Sequence, residues 1–69
     1  MKLTINGESR EFKDFPAQAS VATLLDALGL TGKRIAVEHN DEIVPKSRHA
    51  ETAVGEGDKF EIVVAVGGG

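Results

Sequence analysis

Residues 59–66 read KFEIVVAV. Phe60, Ile62, Val64 and Val66 alternate with Lys59, Glu61, Val63 and Ala65, the period-two pattern of a β-strand. From Ile62 to Val66 the apolar content is nearly continuous. A strand apolar on both faces fits a central place in a sheet, with a partner on each edge. The rest of the fold depends on which segments can flank it.

Upstream lies KSRHAETAVGEGD, residues 46–58, which reads as a long irregular connection. We expect one helical turn near 47–50, Val54 as its anchor to the core, and a turn at Gly57-Asp58 leading into the strand. Before it, IVP at 43–45 is a very short strand stopped by Pro45, and RIAVEHN at 34–40 is a strand with Ile35 and Val37 on one side. NDE at 40–42 is the turn between them.

At the N-terminus, KLTING alternates with Leu3 and Ile5 on one face. Asn6-Gly7 is a strong hairpin signal, because a type I′ turn needs positive φ at both central residues. A two-residue hairpin then sets Ile5 opposite Glu8, Leu3 opposite Arg10 and Met1 opposite Phe12. Pro16 lacks the N–H of a ladder residue and biases Phe15 away from helix, so KDFPAQ is a loop with Phe15 folded onto the core. In SVATLLDALG, residues 20–29, Val21, Leu24, Leu25 and Leu28 fall at i, i+3, i+4 and i+7, one face of a helix of two to three turns. Ser20 is its N-cap. Thr23 stands where a capping box carries Glu or Gln, so no full box is expected. Gly29 suits the left-handed C′ position, with Leu30 supplying the accompanying apolar contact.

The order is therefore β-β-α-β-β-β. One sheet covered on one face by one helix buries these apolar stripes most economically. The expectation is an α+β, β-grasp (ubiquitin-like) layout: residues 1–69 as one domain, a mixed sheet, and residues 67–69 as an extended flexible tail. Sixty-nine residues leave no room for a second domain.

Composition narrows the function. Without cysteine, the chain has no thiol nucleophile and no thiolate metal site. A net charge of −3 argues against nucleic acid as partner. No apolar run is long enough to span a membrane, and Met1 leads into strand-like sequence with no signal peptide, so a soluble cytoplasmic protein is expected. His39 and His49, even with Asp41 and Glu42, match no metal-ligand spacing and read as solvent-exposed polar residues. Ser47, Arg48 and His49 are consecutive, which does not set a serine against an oriented base. Gly55-Glu56-Gly57 is followed by neither a Lys-Ser/Thr pair nor a helix, so it is no phosphate loop. Asp58 reads as a turn hydrogen-bonder and the charged EHNDE as a solvated loop.

The chain closes on Gly67, Gly68 and Gly69, directly after the last strand. Three extended residues reach about 10 Å. Glycine has no Cβ, so such an arm can enter a narrow channel in a partner. A carboxylate delivered that way is inert until adenylation gives it a leaving group, after which a sulfur nucleophile can attack. Val63 and Ala65 lie on the face that a single helix leaves open. With the neighbouring Val66 they are the candidate docking surface beside the tail.

The sequence resembles the ubiquitin-like sulfur carriers, most closely their thiamine-biosynthesis (ThiS) branch, over essentially all 69 residues. The resemblance rests on INGE in the first hairpin, VATLLDALGL, IAVEHNDEIVPKSRHAET, GEGDKFEIVVAV and the final GGG. It implies a carrier rather than an enzyme, with no intrinsic cofactor and no catalytic side chain. The Gly69 carboxylate would be adenylated by an E1-like (ThiF-like) enzyme using ATP and Mg²⁺. Sulfur from a cysteine desulfurase persulfide would make it a thiocarboxylate, and thiazole synthase (ThiG-like) would accept the sulfur. Two alternatives stand beside this: a MoaD-like small subunit of molybdopterin synthase or a cysteine-biosynthesis carrier, and a β-grasp interaction module without covalent chemistry. The short loops and the EIVPKSRHAET stretch favour the first reading.

Overall fold

The computed structural model describes residues 1–65; Val66 and the tail, Gly67 to Gly69, lie outside the described residues. The elements are β1 (Lys2–Ile5), β2 (Glu8–Glu11), α1 (Val21–Ala27), β3 (Ile35–His39), β4 (Glu42–Val44), a 3₁₀ turn (Lys46–Arg48) and β5 (Lys59–Val64). The sheet order is β2-β1-β5-β3-β4. β5 is central, as its two-sided apolar sequence predicts, and runs parallel to β1 and antiparallel to β3. This is the expected β-grasp arrangement of one helix on a mixed five-stranded sheet.

The first hairpin has the predicted register, with Leu3 opposite Arg10 and Ile5 opposite Glu8. Asn6 and Gly7 have φ of 50° and 82°, as a type I′ turn requires. The Phe12 N–H donates to the Met1 carbonyl at 2.7 Å. β3 and β4 close the same way through Asn40 (φ 49°) and Asp41 (φ 71°), residue types that tolerate the left-handed region.

The core gathers Leu3, Ile5, Val21, Leu24, Leu25, Val37, Val44, Val54, Phe60 and Ile62 between the helix and one sheet face. Phe12 and Phe15 pack on its edge, their ring centroids 4.8 Å apart. Val64 departs from expectation: it shares the face of Phe60 and Ile62 but is 38% exposed. A seven-residue helix is about 10 Å long and a six-residue strand about 20 Å, so α1 does not cover all of β5.

The helix ends hold one correction. Ser20 caps α1 as predicted, and a reciprocal capping box is present even with threonine at N3. The Thr23 N–H donates to Ser20 Oγ at 3.3 Å, and the Ser20 N–H donates to Thr23 Oγ1 at 3.2 Å. A threonine hydroxyl is also an acceptor, and it reaches back without the longer glutamate arm. At the other end Gly29 has φ 73°. The Gly29 N–H donates to the Asp26 carbonyl and the Leu30 N–H to the Leu25 carbonyl, which is the Schellman pattern. The 3₁₀ turn begins at Lys46, one residue earlier than expected. Pro45 (φ −64°) pre-sets its entry, and its carbonyl accepts the Arg48 N–H at 2.8 Å.

The histidines are less exposed than the sequence suggests. The His39 side chain is 18% exposed. Its ring stacks on Phe60 at 4.7 Å between centroids, and Nε2–H donates to Asp58 Oδ2 at 2.7 Å. The cause is tertiary: β3 lies beside β5 with His39 opposite Phe60. His49 is half-buried and donates from Nε2 to the Val44 carbonyl at 3.2 Å.

Candidate functional site

The candidate site is the far end of β5 and the sheet face beside it. β5 is gripped on both edges before it ends. On the β3 edge Val63 pairs with Ala36 and Val64 with Ile35. The Ala65 N–H then donates to the Arg34 carbonyl at 2.8 Å, the last such bond along β5 among the described residues. On the β1 edge strand pairing stops at Ile5 and Phe60. There the Asn6 side chain continues the ladder: Oδ1 accepts the Ile62 N–H at 2.7 Å and Nδ2 donates to the Ile62 carbonyl at 3.1 Å. Ala65 is therefore held in place at the end of β5.

The sheet face away from α1 carries the surface. Val63 is 65% exposed and Ala65 is exposed, as expected of two of the three predicted docking residues; the third, Val66, is outside the described residues. Ile43, 78% exposed, was not anticipated. Val44 is buried against the core, and strand alternation turns Ile43 to the opposite face. That alternation is readable in EIV once the inward residue is known. Ile43 stands opposite Glu38, diagonal to Ala36, so Ala36, Ile43 and Val63 share one open patch. Glu38 also stands directly opposite Glu61, which places two exposed carboxylates side by side on the same face. Among the described residues neither enters an ion pair.

The start of β5 is locked by Asp58. Its Oδ2 accepts from the Gly55 N–H at 2.8 Å as well as from His39, and its Oδ1 accepts from Asn40 Nδ2 at 3.4 Å. Asn40 Oδ1 in turn accepts the Lys59 N–H at 2.9 Å. Burial pushes the Asp58 carboxyl up, but the hydrogen bonds from Gly55, His39 and Asn40 and the charge of His39 outweigh it. The net result is a carboxyl held below the usual range. EHNDE is thus more than a solvated loop, since His39 and Asn40 pin the entry to β5.

Among the described residues no group of three or more His, Asp or Glu side chains is placed to hold a metal ion, and no helix is long and apolar enough to cross a membrane. What this face offers is an exposed apolar patch of Ala36, Ile43 and Val63 beside the end of β5.

Known proteins share this sequence and fold. The ThiS family profile matches residues 3–69. A thiazole synthase of Paramagnetospirillum magneticum is 54% identical over all 69 residues, and the chain spans only 20% of that relative's length. The protein ycf40 of Porphyra purpurea is 33% identical over 69 residues, 93% of its length. The crystal structure of the thiamine biosynthesis protein ThiS from Geobacter metallireducens superposes with a TM-score of 0.83 at 31% identity, covering all of both chains. With the β-grasp sheet, the exposed face beside β5 and this full-length match, the chain belongs to the ThiS family of ubiquitin-like sulfur carriers.

Proposed function

We propose that the chain is a sulfur carrier of thiamine biosynthesis that supplies sulfur for the thiazole ring, with the Gly69 carboxylate as its reactive group. The observation that carries this reading is β5. It is a central strand gripped through Ala65 and followed within one residue by three glycines. The ThiS family match and the thiazole synthase relatives support the thiazole branch over molybdopterin synthase or cysteine biosynthesis.

The chemistry belongs to the terminus and to partners. An E1-like enzyme joins the Gly69 carboxylate oxygen to the α-phosphorus of Mg²⁺-bound ATP, releasing pyrophosphate. The resulting acyl-adenylate has AMP as its leaving group; the terminal sulfur of a persulfide derived from a cysteine desulfurase displaces it to form an acyl disulfide. A thiol then reduces the S–S bond, leaving the thiocarboxylate on Gly69 and carrying off the other sulfur as a disulfide. The thiocarboxylate then passes its sulfur to thiazole synthase. The chain contributes recognition through Val63, Ala65 and Ile43, and positioning through the fixed root of the arm. It acts as a co-substrate, not as an enzyme.

The test is intact-protein mass spectrometry after incubation with an adenylating enzyme of this family, ATP, Mg²⁺ and a sulfur donor. Exchange of oxygen for sulfur adds about 16 Da. Deleting Gly69 leaves the thermal transition unchanged and abolishes the gain. A gain that survives the deletion, or no gain with a competent enzyme, overturns the reading.

A further inference from the structure

On the helix side of the sheet, beside the end of β5, the structure holds a cleft of about 560 Å³. Leu25, Leu30, Ile35 and Ala50 give it an apolar lining, while Lys33, Arg34 and Lys46 bring three positive charges to it. Among the described residues no acidic side chain lines it. The chain has 11 acidic and 8 basic residues, so three bases and no acid reverse the sign of the whole molecule locally. Among the described residues none of the three bases is in an ion pair.

The cleft is tied to the root of the arm. Arg34 supplies the carbonyl that holds Ala65, and Ile35 pairs with Val64. A protein that closes on residues 66–69 therefore meets this cleft as well as the open sheet face. The two sides differ in charge. The sheet face carries Glu38 and Glu61, and the helix side carries the three bases.

We propose that this cleft docks an acidic segment of the protein that handles the tail. That segment is a short stretch of carboxylates flanking one aliphatic or aromatic side chain, which enters the apolar lining while the carboxylates meet Lys33, Arg34 and Lys46. The proposal rests on the carrier reading and adds the helix-side half of the interface. A peptide fits better than a small metabolite. Small-ligand sites orient their occupant with convergent polar groups. Here the three bases are all exposed, and no buried side-chain polar atom among the described residues lacks a partner. Opposite charges on the two sides of the arm also fix the partner's orientation, since a reversed approach sets like charges together.

The experiment titrates the full isotope-labelled chain with acetyl-DELDE-amide, acetyl-DESDE-amide and octanoate, followed by amide chemical shifts. The leucine peptide moves Ala22, Leu30, Lys33 and Ala50. The serine peptide moves them far less, and raising salt from about 0.05 to about 0.3 M weakens the effect severalfold. Lys33→Glu combined with Lys46→Glu removes the shifts without changing the thermal transition, and lowers kcat/KM for thiocarboxylate formation about tenfold. Equal shifts from both peptides, no shift from either, or shifts from octanoate alone overturn the proposal; the last marks a small-ligand pocket. Thiocarboxylate formation at wild-type efficiency in the double variant overturns it and leaves the carrier reading standing. If the wild type forms no thiocarboxylate, the carrier reading falls and the peptide titration alone decides the docking site.

Discussion

The side chain of Asn6 is hydrogen-bonded to both backbone groups of Ile62, 56 residues away, and so takes the place of a strand residue beside β5. Asn6 is at the same time the first central residue of the β1–β2 turn, with φ 50°. One residue thus closes the first hairpin and supports the central strand of the sheet. Asn6→Ala loses both bonds and places an unsuited side chain in the left-handed region, at a cost of about 2 kcal/mol in denaturant unfolding. Asn6→Gly keeps the turn and loses only the bonds, so its cost is smaller. A cost of zero for Asn6→Gly would show that the Ile62 bonds contribute nothing, and equal costs for the two variants would show that the left-handed conformation adds none.

The Asp58 lock makes stability depend on acid. Its carboxyl is held below the ordinary aspartate range in the folded chain, so the unfolded state binds the proton more readily. That contribution is fully present above the unfolded value of about 4 and is lost as pH falls through the lower folded value. Asp58→Asn therefore lowers the melting temperature at pH 7, and the gap from wild type narrows as pH drops below about 4. A gap that stays constant across this window would assign the pair a packing role only.

The capping box can be divided by a double-mutant cycle. Ser20→Ala costs about 1 kcal/mol through loss of the Thr23 N–H acceptor. Thr23→Val keeps the shape, removes the acceptor for the Ser20 N–H and costs less. Because the two residues form one reciprocal unit, the double variant costs less than the sum. Strict additivity in urea titrations would count against the box.

The sheet face predicts a separation of folding from recognition. Val63→Thr and Ile43→Thr keep β-branched side chains at exposed strand positions, so unfolding free energy stays within about 0.5 kcal/mol of wild type. Together they remove apolar surface from the patch and lower kcat/KM with the adenylating enzyme about tenfold. Steady-state kinetics with an unchanged kcat/KM would remove this face from partner recognition.

What the sequence by itself determined was local, together with one global feature. Asn6-Gly7 dictates the first turn, because φ preference is a property of the residue itself. Ser20 and Gly29 bound the helix for similar reasons, and the two-sided apolar run of β5 requires a central place in the sheet. Tertiary structure decided what depends on neighbours distant in the chain. Exposure of Ile43 follows from the inward turn of Val44. The partial burial of His39 follows from its position opposite Phe60 and within reach of Asp58, and the capture of Ile62 by Asn6 follows from β1 lying parallel to β5. The cleft beside Arg34 forms where α1, the 30–35 segment and residues 46–50 come together, which are distant in sequence. Sequence spacing sets which side chains share a face of one element. Only the packed sheet sets which elements face each other, because that pairing minimises exposed apolar surface over the whole chain.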